Sequence, residues 1–418
     1  MFNVRLKSHH DVKNIITSKI KRKLATPLSY YKILNSVPVE KEGGIYVHTP
    51  YCDKICSFCN MNRKQVNNNL EEYTNYLIRQ IEKLGRKKYI KLKEFNVLFF
   101  GGGTPTIYNS LQLEKILQSV RKSFILADTY EFTFESTLHN LTIEKLKIME
   151  NYGVNRLSIG IQTFSDRGRE VLNRTYKQEE VIEKIKEIRD NFSGLICIDI
   201  IYNYLDQTVE EVEEDVKILS ELKVDSSSFY SLMIHEGSNL ATDLSNGDKN
   251  FDYQIELDKK LHHKFLELSL KNGYEILEHT KITSGRDKYN YIKNVHELKD
   301  LIPIGIGAGG RVGNLEIYNL NKFITFYSPD SEIKKKLQLL SGVTQYKKVL
   351  LEKLKEICGN NYSDIYPVLL SLVEKKYIML EKDFYTYTNE GIFWGNNISG
   401  LLVETLYNSI KKGSWKRK

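Results

Sequence analysis

Residues 46–59 read Tyr46-Val47-His48-Thr49-Pro50-Tyr51-Cys52-Asp53-Lys54-Ile55-Cys56-Ser57-Phe58-Cys59. Three of the chain's five cysteines fall within this stretch. That is poor arithmetic for disulfides and good arithmetic for a metal. Thiolates at CxxxCxxC spacing can hold three irons of a 4Fe–4S cluster, which ordinarily takes four cysteines. The missing fourth ligand is informative, because an open iron can bind a small molecule. Zinc would need a fourth Cys or His nearby; His48, on the preceding segment, is the nearest candidate. A chance grouping of thiols is the remaining alternative. Ile45-Tyr46-Val47-His48 reads as a short strand that delivers the loop.

Downstream, Phe95 to Phe100 is an apolar run stopped by Gly101-Gly102-Gly103, a buried strand ending in a tight loop. Helix 111–124, strand 130–135, helix 142–152 capped by Thr142, and strand 155–161 follow. Helix 178–190, strand 195–202, helix 208–222, strand 226–233, helix 253–272 and strand 274–278 continue the alternation. This rhythm indicates parallel βαβ units. The expected fold class is α/β, a partial or full β/α (TIM-like) barrel. After about residue 325 the pattern changes to helices 331–340, 344–357 and 362–375, a hairpin at 377–388 and a last helix over 397–412. The expected organisation is a leader over 1–44, a barrel over 45–325 and a helical, winged, lid-like domain over 326–418.

The 418 residues suffice for two or three domains or one large barrel with additions. With 41% apolar and 27% charged residues the chain is ordinary for a globular protein. No apolar run approaches the roughly 20 residues of a membrane span, and no apolar segment follows the basic N-terminus to make a signal peptide. The net charge of +8 is partly terminal: Lys19, Lys21, Arg22 and Lys23 at one end, Lys411, Lys412, Lys416, Arg417 and Lys418 at the other. These read as solvated tails, and no nucleic-acid motif accompanies them. Cys197, in an apolar run, and Cys358, in a helical one, read as core thiols. Few cysteines and no disulfide pattern point to a reducing compartment, the cytoplasm.

The cysteine loop after a first strand, followed by a glycine-rich strand end, resembles the radical S-adenosylmethionine (SAM) superfamily. The resemblance implies a SAM molecule chelated by the open iron and cleaved to a 5′-deoxyadenosyl radical. Several segments are similar to the branch of oxygen-independent coproporphyrinogen oxidase. They are Tyr46-x-His48-x-Pro50-x-Cys52, Phe99-Phe100-Gly101-Gly102-Gly103-Thr104-Pro105-Thr106, Asn155 to Phe164 with Asn173-Arg174, Ile198-Asp199-Ile200-Ile201-Tyr202, and Gln207-Thr208. The resemblance spans about residues 45–320. It implies a cluster on Cys52, Cys56 and Cys59 and two SAM molecules. The first would be held by Tyr46, Gly102 and Glu135. The second would be held by Phe58, Gly103, Thr104, Gln162, Arg174 and Asp199.

Two features depart from the oxidase pattern. Met61 stands where that branch usually has a fourth cysteine. Asn203-Tyr204-Leu205-Asp206-Gln207-Thr208 replaces Gly-Leu-Pro-Gly-Gln-Thr, which puts the local turn in question. Arg286-x-x-Tyr289-Asn290-Tyr291, Gly305 to Gly313 and the long leader look like the anaerobic heme-degrading class C methyltransferases, the anaerobilin synthases. That resemblance implies methylene-radical addition at a meso carbon of heme, ring opening and iron release. It also implies a flavodoxin- or ferredoxin-type electron donor. Arg286, Arg311 or nearby lysines would meet the propionates, and His279 would ligate iron or donate a proton. A packing role for His279, the oxidase reaction, a heme chaperone and methylation of another aromatic substrate remain alternatives.

Overall fold

The computed structural model describes residues 1–415 except 22, 60–63 and 67–68. Among them, seven strands of the main sheet run parallel: β1 (Glu42–Thr49), β2 (Glu94–Gly102), β3 (Ile125–Ser136), β4 (Arg156–Gln162), β5 (Leu195–Tyr202), β6 (Ser226–Ser231) and β7 (Leu301–Ile304). Their order in space is β7-β1-β2-β3-β4-β5-β6. The fold is α/β with a mainly parallel sheet, and it takes the open rather than the closed form. Antiparallel strands Lys281–Thr283 and Glu275–Glu278 extend it beyond β6. Gly309–Val312, Leu315–Asn319 and Thr325–Pro329 extend it beyond β7. Among the described residues the two outermost strands do not pair with each other.

Each parallel strand has two faces because side chains alternate. Ile45 and Val47, Leu98 and Phe100, Phe132 and Phe134, Leu157 and Ile159, and Ile196 and Ile198 belong to one continuous core. The intervening positions turn Tyr46, His48, Phe99, Glu135, Ser158, Asp199 and Ser228 to the opposite, inner face. Helices such as Ser110–Ser123 and Gln178–Asn191 cross between strands and bury their apolar stripes. Capping marks their starts: Asn109 with Gln112, and Thr208 with Glu211, form reciprocal boxes.

Three expectations are corrected. The strand at 275–278 does not continue the parallel series; it turns back on Lys281–Thr283, which runs antiparallel to β6. The missing parallel strand is β7, four buried residues that include Pro303. Helix 344–357 begins only at Leu351, because Lys348–Leu350 joins the hairpin Ile378–Leu380 and Phe384–Tyr387 as a third strand.

The leader is built into the molecule. Ser8 and Asp11 box the start of helix His9–Lys19, which packs on helices Glu332–Val343 and Gly395–Trp415. Arg5 reaches the Asp258 carboxylate and the Tyr202 hydroxyl at 2.9 and 2.8 Å, and its Nε donates to the Phe393 carbonyl. The expectation of freely solvated basic ends also needs amending. Lys19 pairs with Glu404, and Lys411 stands over the Tyr407 ring; Arg22 and residues 416–418 lie outside the described residues. Among the described residues, no helix is long and apolar enough to cross a membrane.

Candidate functional site

β1 leads into the cysteine loop, and the loop is held from several sides. Gly103 N–H donates to the Thr49 carbonyl and Thr104 N–H to the Tyr51 carbonyl, so the end of β2 grips the loop's start. Thr104 Oγ1 lies 3.5 Å from Cys52 Sγ. The Ser57 hydroxyl donates to the Val171 carbonyl, Leu240 N–H donates to the Ser57 carbonyl, and the Asn173 amide donates to the Ile55 carbonyl. Arg174 Nη1 lies 2.8 Å from Cys56 Sγ, and its Nη2 donates to the Gly160 carbonyl at the end of β4. Arg174 Nε is buried with no hydrogen-bond acceptor among the described residues.

The glycine run is required by this close approach. A Cβ on Gly103 would stand 2.5 Å from the Tyr51 carbonyl oxygen and 3.0 Å from Cys52 Sγ. Gly102 has φ +113°, and a Cβ there would meet the His48 ring at 2.6 Å. Gly102→Ala therefore costs about 1–3 kcal/mol in backbone strain alone, before the clash. We expect a lower melting temperature and less iron and sulfide per chain after anaerobic reconstitution.

The inner face brings most of the expected residues to the same end of the sheet. Glu135 accepts from Gly102 N–H at 3.0 Å. Burial pushes its carboxyl up to about 7; the nearby Asp199 charge adds to the rise, and the Gly102 bond opposes it. Asp199, on β5, is raised by burial too, against the pull of Lys281. Neither carboxylate has an ion-pair partner among the described residues. The Tyr46 hydroxyl contacts His48 Nδ1 at 2.9 Å. Gln162 closes β4 with φ +76°. Phe58 packs against a satellite cluster of Leu172, Ile201, Leu205, Leu232 and Leu240. The altered turn after β5 survives, because Asn203 and Asp206 both take positive φ and Asn203 N–H donates to the Gln207 side chain. Met61 lies outside the described residues.

Three expected residues stand elsewhere. Arg286 pairs with Asp225 at 2.7 Å, beside the first residue of β6 and thus at the sheet's opposite end; its side chain is 60% exposed. Its Tyr289-Asn290-Tyr291 neighbours form a floor. Backbone N–H groups of Asn290 and Tyr291 donate to Glu131, and Tyr291 stacks on Phe99. We expect Arg286→Ala to leave SAM affinity unchanged in titration and to cost under about 1 kcal/mol of stability. His279 is buried against Tyr387 and Gly395. Burial lowers its pKa to about 3, and neither ring nitrogen has a hydrogen-bond partner among the described residues. Arg311 belongs to an edge cluster with Asp330 and Glu316.

Sequence reasoning missed His139 and Asn140, which hold Asp53 in the cysteine loop, and the buried Arg156–Asp287 pair with Lys281 close by. The only local signal was charge inside strand patterns. Among the described residues, no three His, Cys, Asp or Glu side chains are gathered as a metal site. His48 faces Tyr46 and Gly102 on the inner face.

Residues 46–219 match the Radical SAM superfamily. The chain is 27% identical over 383 residues to the heme chaperone HemW of Buchnera aphidicola subsp. Schizaphis graminum, covering 86% of this chain and 98% of that protein. It is 26% identical over 386 residues to HemW of Bacillus subtilis, covering 86% and 99%. It is 24% identical over 400 residues to the anaerobilin synthase of Escherichia coli O157:H7, covering 90% and 87%. The coproporphyrinogen III oxidase HemN from Escherichia coli, a radical SAM enzyme, superposes with a TM-score of 0.75 over 90% of this chain and 93% of that one, at 18% identity. The cofactors that follow are a 4Fe–4S cluster and SAM, and the residues present fit them. Three thiols share one loop, Arg174 Nε has no acceptor among the described residues, and two inner-face carboxylates have no cation in direct contact there. The core of the chain, residues 46–219, is a radical SAM domain, and the chain as a whole is similar to the HemN-like branch.

Proposed function

We propose that this protein is a class C radical SAM methyltransferase that opens heme anaerobically, releasing iron and a linear tetrapyrrole. The observation that carries the reading is the pair Glu135 and Asp199. SAM carries a net positive charge, so two enclosed carboxylates with no cation in direct contact among the described residues favour two such molecules. Cys52, Cys56 and Cys59 would hold the cluster. Tyr46, Gly102 and Glu135 would hold one SAM; Phe58, Gly103, Thr104, Gln162, Arg174 and Asp199 would hold the other. The cluster with its SAM supplies a carbon-centred radical when loaded.

This chain's residues bind, orient and shield. Arg174 presents its free Nε–H to a carboxylate, and Glu135 offers an acceptor to a hydroxyl or ammonium group. Lys281 and Arg156 supply fixed positive charge below the site. The aromatic floor of Tyr289, Tyr291 and Phe99 keeps water from that side. A leader packed into the fold supports the methyltransferase over a chaperone, and the similarity to anaerobilin synthase extends over 400 residues. The reducing cytoplasm and a flavodoxin- or ferredoxin-type donor complete the reading.

The chaperone reading is favoured by the HemW relatives, so the test must separate the two. Anaerobically reconstituted protein is given heme, SAM and dithionite, and products are read by mass. A methylated linear tetrapyrrole with free iron supports the enzyme. Stoichiometric heme binding without turnover, under full cluster loading, supports the chaperone.

A further inference from the structure

Lys281 is 2% exposed on the short strand beyond β6. Its register partner is Ser228, which is also the register partner of Asp199, so the three residues form one row across three strands. Lys281 Nζ lies 2.9 Å from Cys197 Sγ and 3.2 Å from Ser228 Oγ. It stands 3.9 Å from Asp287 and 4.6 Å from the Tyr289 ring centre. Asp287 is already engaged by Arg156 in a paired geometry. Burying an ammonium is costly unless a negative charge uses it. Arg156 holds Asp287 at 2.9 Å while Lys281 reaches it only at 3.9 Å, and Lys281 also pulls down the carboxyl of Asp199 along the shared row, so Asp199 is a second carboxylate that it serves.

We propose that Lys281 is a positioning residue for SAM binding, its ammonium presetting the charge and orientation of Asp199 through the shared row with Ser228. The proposal rests on Asp199 being a SAM ligand. Asp199 faces Glu135 from β3, Arg156 and Ser158 from β4, Ser228 and Tyr230 from β6, and Lys281 from the added strand. Glu135 and Asp199 repel each other, and both are raised by burial. Lys281 is the largest of the charges that pull Asp199 back down. Without it, Asp199 would take up a proton as the pH falls and would lose its hold on a cation.

The test is calorimetric titration of SAM into anaerobically reconstituted protein at about pH 6 and about pH 8. We expect Lys281→Met to bind about tenfold more weakly near pH 6 and to recover part of that loss near pH 8. Lys281→Arg should restore wild-type behaviour. In an Asp199→Asn background, Lys281→Met should have no further effect, and that double variant also removes two opposed charges together, which protects the fold. Wild-type affinity of Lys281→Met at both pH values overturns the proposal. So does an equal loss in the Asp199→Asn background, which would mark a structural role. Unchanged affinity in Asp199→Asn alone overturns the assignment of Asp199 beneath it.

Discussion

Glu135→Gln should bind SAM about 10–100-fold more weakly, the worth of a charged hydrogen bond, while making the ligand-free protein more stable in alkaline buffer. The two effects share one cause. Burial raises the Glu135 carboxyl from 4.5 to about 7. The folded protein therefore holds a proton that the unfolded chain has released, and stability falls as pH rises from about 4.5 to about 7. Above that window the ionised side chain costs up to about 3 kcal/mol, reduced by whatever solvent reaches the inner face. Glutamine can keep the Gly102 bond and carries no charge. Thermal melts of the two ligand-free proteins should diverge near pH 8, with the variant higher, and converge near pH 5. Equal melting temperatures at both values would mean that Glu135 is neutralised in some other way.

Arg5→Ala should cost about 3–5 kcal/mol, the usual result of stripping one partner from a buried ion pair. The Arg5 and Asp258 side chains are 5% and 0% exposed. Arg5 also stacks over Phe393, 4.0 Å from its ring centre. Asp258 would keep only the Tyr253 hydroxyl. Adding Asp258→Asn should recover much of the loss, because the stranded charge goes with it. Denaturant unfolding of the single and double variants checks this. A double variant as weak as Arg5→Ala would show that lost packing on Phe393, not the charge, dominates.

The alternation from β2 to β6 was legible because each strand carries its own apolar face and most of the helices carry a capping side chain, Asn109, Thr142 and Thr208 among them. β7 was not, since Leu301-Ile302-Pro303-Ile304 is short, contains a proline and is followed by glycines that read as a turn. The direction of Glu275–Glu278 was hidden for a different reason. A strand's residues look alike either way, and only the tight return to Lys281 decides the matter. Within the site, the cysteine loop and the glycine run were visible because their neighbours lie close in sequence. Arg156 and Asp287 are 131 residues apart, so a charge at a strand's start could not announce its partner. Arg286 shows the converse: the motif around it was noticed, and its place at the far end of the sheet is fixed by an antiparallel strand that sequence does not orient.

The Arg5 staple has a bearing on how the chain comes off the ribosome. Its farthest partner, Phe393, is 388 residues away, so the staple cannot be completed until that residue is made, although Tyr202 and Asp258 come within reach earlier. All seven parallel strands of the main sheet have emerged soon after Ile304, and the 89 residues from there to Phe393 take on the order of ten seconds to make. During that interval the cysteine loop stands on a sheet not yet clasped by the completed staple. Nascent protein would then present its thiols to iron–sulfur delivery before the last helix closes over the early segment.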